Sequence, residues 1–151
     1  MGWHLVTGAD AGNWVAEQIN GSYQDGTTAI GLKAHGVFSA GVLYEQWNGR
    51  SIVAHIAVSN RMTPAFLAAI FHYPFIVCGA HKVLCPIPSD NARSISLATR
   101  MGFDLEARLR DAAPTGDILI FTLTKANCRF LKDRYGTKIK YDARTSDLAE
   151  T

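Results

Sequence analysis

Apolar and β-branched residues crowd three successive runs of the first half of the chain, the first of them with a period of two. "TTAIGLKAH" (27–35) carries Ile30 and Leu32 in alternation, "VFSAGVLYEQW" (37–47) follows across Gly36, and "RSIVAHIAV" (50–58) follows Asn48-Gly49. Such runs bounded by turn residues predict two successive hairpins, a meander. Ahead of them, "WHLVT" (3–7) reads as a short strand. "ADAGNWVAEQIN" reads as a helix with Trp14, Val15 and Ile19 on its apolar face, stopped by Gly21.

After Val58 the period changes. Thr63-Pro64 is a cap followed by a proline in the first helical turn. Phe66, Leu67, Ile70 and Phe71 then fall on one face of a helix that Pro74 ends or kinks. "KVLCPI" (82–87) is the next strand, closed by Pro86 and Pro88. "NARSISLATRMGF" (91–103) is a helix, with Asn91 as its cap, Ile95, Ala98 and Met101 packing, and Gly102 as its stop. "DLEARLRDA" (104–112) and "DILIFTLTK" (117–125) flank Pro114-Thr115-Gly116, a further hairpin signal, and "ANCRFLKDRYG" (126–136) reads as a terminal helix. The order is β-α-β-β-β-α-β-α-β-β, a mixed α/β chain. We read 1–136 as a single domain and 137–151 as a polar C-terminal tail.

Composition narrows the classes. A chain of 151 residues with 48% hydrophobic and 19% charged residues can bury one proper core. A net charge of +2 points to neither nucleic acid nor an anionic membrane, although Lys132, Arg134, Lys138 and Lys140 form a local basic patch. Cys78, Cys85 and Cys128 form no C-x-x-C pair and the five histidines are scattered, so we expect buried reduced thiols and no metal site. The start, "MGWHLVTGAD", lacks a basic segment followed by an apolar run, and "PAFLAAIFHYPFIVCGA" is interrupted by His72, Tyr73 and Pro74. We therefore expect no signal peptide, no membrane span and a cytoplasmic location.

The late pattern N-x-x-S-x-x-x-A-x-x-x-G-F, filled by Asn91, Ser94, Ala98, Gly102 and Phe103, resembles the GNAT superfamily of N-acetyltransferases. With the following "DLEARLRDA", the Gly-Asp turn and "ILIFTL", it looks most like the branch that acetylates ribosomal-protein N-termini. The resemblance covers 28–131 in element order and is specific at residue level over 88–131. It implies an α/β fold with a central, mixed, mostly antiparallel sheet of about seven strands, flanked by helices and splayed between the fourth and fifth strands. It also implies acetyl-CoA as co-substrate, with the pantetheine arm in the splay and an amine acceptor. Strand-edge or C-terminal-arm pairing is common among such proteins, so a homodimer is compatible with it.

By the same resemblance, main-chain groups of Ile56, Ala57 and Val58 would pair with the pantetheine, and Asn91 would reach it or cap its helix. The family's pyrophosphate loop, Gln or Arg, two residues, Gly, one residue, then Gly or Ala, is here "NRMTPA". Only Ala65 matches, so Asn60, Arg61, Thr63 and Ala65 would have to hold the phosphates with Arg61 supplying charge. Many relatives place a tyrosine four residues before the glycine as the acid for the departing thiolate. Ala98 stands there, and Ser94 takes the role by analogy with the resembling branch. Candidates for the base are Glu45, His55 and Glu106; histidine titrates near neutral pH, and Glu106 falls where the family has its acidic residue. The leading expectation is acetyl transfer to a primary amine on a protein N-terminus, a lysine or a small metabolite. The departures keep two alternatives open, a catalytically degenerate acyl-CoA-binding or regulatory module and a relative that modifies nucleobases.

Overall fold

In the computed structural model, which describes residues 2–132, seven strands form one sheet in the order β1-β2-β3-β4-β5-β7-β6. They are β1 (His4–Thr7), β2 (Ala29–Ala34), β3 (Val37–Glu45), β4 (Ser51–Val58), β5 (Lys82–Pro88), β6 (Asp104–Ala113) and β7 (Gly116–Thr124). Every pairing is antiparallel except β4 with β5. Three helices flank the sheet: α1 (Ala9–Gln18), α2 (Pro64–His72) and α3 (Ala92–Met101). The predicted tail, residues 133–136 of the predicted terminal helix, and the basic residues Arg134, Lys138 and Lys140 lie outside the described residues.

The turns follow the sequence signals. His35 and Gly36 both have positive φ, 55° and 75°, the backbone of a tight two-residue hairpin between β2 and β3. At the β3–β4 turn the Asn48 carboxamide oxygen accepts from the amides of Arg50 and Ser51 at 2.9 and 2.8 Å, an Asx turn. The larger core cluster gathers residues of α2, α3 and the sheet, including Phe66, Phe71, Phe103 and Phe121. The smaller lies under α1 and comprises Ala11, Val15, Ala29, Leu43 and Ala57. Gly41 lets α1 approach: a Cβ there would stand 2.6 Å from Val15 Cγ2. The cysteines are free thiols, with Cys85 and Cys128 buried and Cys78 only half-buried.

Thr63 caps α2, accepting from the Phe66 amide at 3.2 Å with Pro64 in the first position, as the sequence predicts. The regular α-helix stops at His72, two residues before Pro74, but the coil goes on. The chain widens into a π-helix, Tyr73–Val77, closed by the Cys78 amide on the Tyr73 carbonyl at 3.0 Å. A proline at this point cannot donate to Ile70 four residues earlier, and the buried Tyr44 hydroxyl from β3 donates to that carbonyl instead. The predicted terminal helix is replaced, as far as Leu131, by two short 3-10 turns, Lys125–Asn127 and Arg129–Leu131. Extended backbone at Cys128 (φ −85°, ψ 107°) separates them. That break lets Phe130 stack on Phe71 at 5.1 Å between centroids, so tertiary packing overrides the local helical pattern.

The Tyr44 bond gives a test of this arrangement. Tyr44→Phe removes the donor and almost no apolar area, leaving the Ile70 carbonyl without it. We expect a loss of about 1–3 kcal/mol, read as a lower urea midpoint with an unchanged denaturant slope.

Candidate active site

β4 and β5 pair over three registers only, Ser51 with Lys82, Ile52 with Val83 and Val53 with Leu84. Beyond them β4 stays with β3 as far as Val58 opposite Ala40, while β5 stays with β7 as far as Pro88 opposite Ile118. The strands part, and a cleft of about 740 Å³ opens between 55–58 and 85–88. Its lining comes from both sides of the sheet: Gln18, Ile19 and Asn20 at the end of α1, and Asn91, Ser94 and Ala98 of α3 with its cap.

The direction of the main chain follows from one bond. Ser59 donates to the Ser39 carbonyl at 2.9 Å, in register with the β3–β4 ladder, so odd-numbered residues of β4 turn their main chain toward β3. Even-numbered residues turn theirs to the gap. Ile56 and Val58 therefore present N–H and C=O groups to the cleft, whereas the main chain of Ala57 is directed at Gly41 of β3. Side chains divide the other way: Ala57 packs under α1, and Ile56 and Val58 join the larger core. Cys85 lies in the floor, its thiol against the Ile56 amide and pushed up to about 12 by burial, so it stays protonated at neutral pH.

On the α1 side of the sheet, His55 lines the cleft and its Nε2 is 2.7 Å from Glu45 Oε1. The two residues sit diagonally on neighbouring strands, His55 opposite Leu43 and Glu45 opposite Val53. The His55 side chain is mostly covered, at 19% exposure, against 41% for Glu45. Glu45 fixes the ring: a carboxylate only accepts, so Nε2 carries the proton of this contact and Nδ1 is the ring nitrogen that Glu45 does not engage.

Across the gap, Asn91 caps α3 by accepting from the Ser94 amide at 3.1 Å, and Gly102 closes the helix at φ 100°. Ser94 carries the one hydroxyl among the described cleft-lining side chains; Ala98 is buried and offers none. The loop before α3 is tied to the β6–β7 hairpin. Ser89 donates its amide to the Asp117 carbonyl and accepts the Asp117 amide on its hydroxyl, at 2.8 and 2.9 Å, and Thr115 donates to Asp90. Asp117 also accepts from the Asp111 amide at 2.8 Å and pairs with Arg108. These contacts, the Asp111 amide foremost, hold its carboxyl below the usual range.

Other predicted residues lie apart. Glu106 is outside the cleft, bonded to Lys82 at 2.9 Å and to Thr122 at 2.8 Å, and the Lys82 contact lowers its pKa. Asn60, Arg61 and Thr63 belong to the loop beyond β4 and Ala65 to the first turn of α2, and none of them lines the cleft. That loop is pinned to β3: the Asn60 amide reaches the Ser39 carbonyl at 3.2 Å, and the Ser39 hydroxyl bonds both the amide and the carbonyl of Arg61. The Thr63 cap uses the Phe66 amide and Pro64 has none, so Ala65 is the first-turn residue whose amide the cap leaves over. Sequence reasoning missed Gln18–Asn20, Cys85 and the lining role of Pro86 and Pro88, since α1 and β5 carry no motif pointing to a cleft.

No family model matches the sequence, and no curated protein does. Solved structures do. The spermidine/spermine N-acetyltransferase SpeG from Vibrio cholerae, in mutant form, superposes at TM-score 0.64 and 14% identity, over 83% of this chain and 96% of that one. YncA from Salmonella typhimurium, a putative acetyltransferase with acetyl-CoA, gives 0.60 and 14%, over 81% and 93%. The putative acetyltransferase ACIAD1637 from Acinetobacter baylyi gives 0.64 and 12%, over 83% and 94%. The chain has the GNAT fold. The β4–β5 parting is thus the splay expected of a GNAT sheet, and the seven-stranded, mostly antiparallel architecture is as predicted. No described helix is long and apolar enough to cross a membrane.

The Asp117 network carries a pH signature. Because its carboxyl is held below the ordinary value, its stabilisation is complete above that value and fades as pH falls through the lowered one. Asp117→Asn should lose stability at neutral pH and show a shallower decline between about pH 5 and 2, measured as urea midpoints across that range.

Proposed function

We propose that the protein is an acetyl-CoA-dependent N-acetyltransferase that moves an acetyl group to a primary amine by direct attack in a ternary complex. The observation that carries this reading is the cleft itself. It gives an extended amide-bearing chain a main-chain edge at Ile56 and Val58 that β5 does not pair with, the Ile56 amide meeting only the Cys85 thiol, and it is lined on the α1 side by a histidine paired with a carboxylate. Acetyl-CoA would supply the activated thioester. The edge of β4 accepts the arm as an added strand, an amide near Val58 polarises the thioester carbonyl, and Asn91 and Ser94 flank the sulfur from α3. The phosphates would extend past Val58 toward Asn60, Arg61, Thr63 and Ala65, which lie beyond the cleft, with Arg61 providing charge where glycines are absent.

His55, oriented by Glu45, takes the proton that the attacking amine loses, and Ser94 returns one to the departing thiolate. Ala57 supports this face through its side chain. Glu106, bonded to Lys82 and Thr122, takes no part. The acceptor is a small amine or a peptide amine. The late segment favours a protein N-terminus, and the neighbouring spermidine enzymes favour a polyamine, so both belong in one acceptor panel.

The departures at 60–65 and Ala98 favour one second reading, a protein of the same fold that binds acyl-CoA without turnover. A paired measurement separates them. Acetyl-CoA at one hundred times its dissociation constant should stabilise the fold by about 2.7 kcal/mol, and a panel of spermidine, lysine and N-terminal peptides should show thiol release. Stabilisation without release on any amine supports the second reading; neither effect at millimolar acetyl-CoA ends both. His55→Ala should lower kcat by about 10²–10⁴ and Ser94→Ala less, followed as thiol release over pH. An unchanged rate in Ser94→Ala removes it as the acid.

A further inference from the structure

We propose that Pro86 and Pro88 hold the cleft open, as positioning residues that delete the main-chain donors by which β5 would pair with β4; this rests on the acyl-CoA reading for its consequence but not for its geometry. Lys125 donates to the His81 carbonyl at 3.1 Å and Ser89 to the Asp117 carbonyl at 2.8 Å, at the two ends of the β5–β7 ladder and in its register. Odd-numbered residues of β5 therefore turn their main chain to β7. Even-numbered ones, Lys82, Leu84, Pro86 and Pro88, turn theirs to β4.

On the facing edge the even-numbered residues Ile52, Ala54, Ile56 and Val58 are directed at β5, because Ser59 is bonded to β3. A regular parallel ladder centred on Ile52 and Val83 sends the N–H of Leu84 to the Ile52 carbonyl. Continued by one step it needs an N–H at 86 for the Ala54 carbonyl, and by two steps an N–H at 88 for the Ile56 carbonyl. Both positions are proline, which has no N–H. The last pair is Val53 with Leu84, two residues before the first proline.

The β7 side is untouched, since the missing donors point away from it. β5 stays in the sheet through Pro88 opposite Ile118 while its other edge loses the capacity to donate. The gap is therefore chemically one-sided. β4 offers donors and acceptors in strand register, whereas β5 offers only carbonyl oxygen at these positions. A ligand chain with alternating amide donors and acceptors is thereby oriented onto β4, and β4 is kept from pairing with its own neighbour in the ligand's absence.

Pro86→Ala, Pro88→Ala and the double substitution restore the donors. Residue-resolved amide hydrogen exchange on the ligand-free proteins reads the result. We expect the new amides at 86 and 88 to be protected and the Ile56 and Val58 amides to exchange more slowly than in the parent. Acetyl-CoA binding, measured by calorimetry, should weaken roughly three- to tenfold in the double variant, about the worth of one net main-chain hydrogen bond. New amides that exchange at the free rate, with Ile56 and Val58 unchanged, overturn the proposal. If the double variant does not fold, the single Pro88→Ala substitution decides by the same exchange readout. A parent protein that binds no acyl-CoA defeats the functional reading alone, because the exchange experiment uses no ligand.

Discussion

The parting of β4 from β5 is the constraint on which the rest of the molecule depends. A strand inside a sheet normally gives both edges to its neighbours, and a buried edge without partners is costly. Here two adjacent strands share three registers and then diverge, each retaining a full ladder on its outer side. The outer ladders make the divergence tolerable. β4 is anchored to a meander whose turns are fixed by His35-Gly36 and Asn48-Gly49, and β5 to a hairpin that returns between it and β6.

Each face of the sheet then brings different chemistry to the opening. α1 packs closely on β2 and β3, so that its last residues reach the cleft beside His55. On the opposite face the start of α3 is fixed twice, by its own asparagine cap and by the Ser89–Asp117 and Asp90–Thr115 contacts to the β6–β7 turn. An imidazole and a hydroxyl thus line the opening from separately braced elements on opposite faces of the sheet.

Much of this was legible in advance. Strand alternation, the Asn-Gly and Pro-Thr-Gly turns and the Thr-Pro and Asn caps are local effects, and they specify the element order and most boundaries. Residues within one element were also placed correctly relative to one another, as with Ile56 and Val58 opposite His55 and Ala57. Long-range choices were not legible. The π-helix that carries the chain past Pro74 has Tyr44, on a distant strand, donating to the Ile70 carbonyl that the proline cannot serve. The 3-10 turns after β7 depend on where Phe130 finds Phe71.

Up to the end of β7 the sequence by itself determined which segments are strands and helices, where they turn, and which residues share a face, because those follow from neighbours a few positions apart. Only the tertiary structure decided that Glu45 meets His55, that Glu106 is held elsewhere by Lys82 and Thr122, and that the prolines of β5 face the gap instead of β7. Each of those outcomes is a matter of register between strands distant in the chain. Shifting a register by one residue reverses which edge a main-chain group serves, and that is set by packing across the whole sheet.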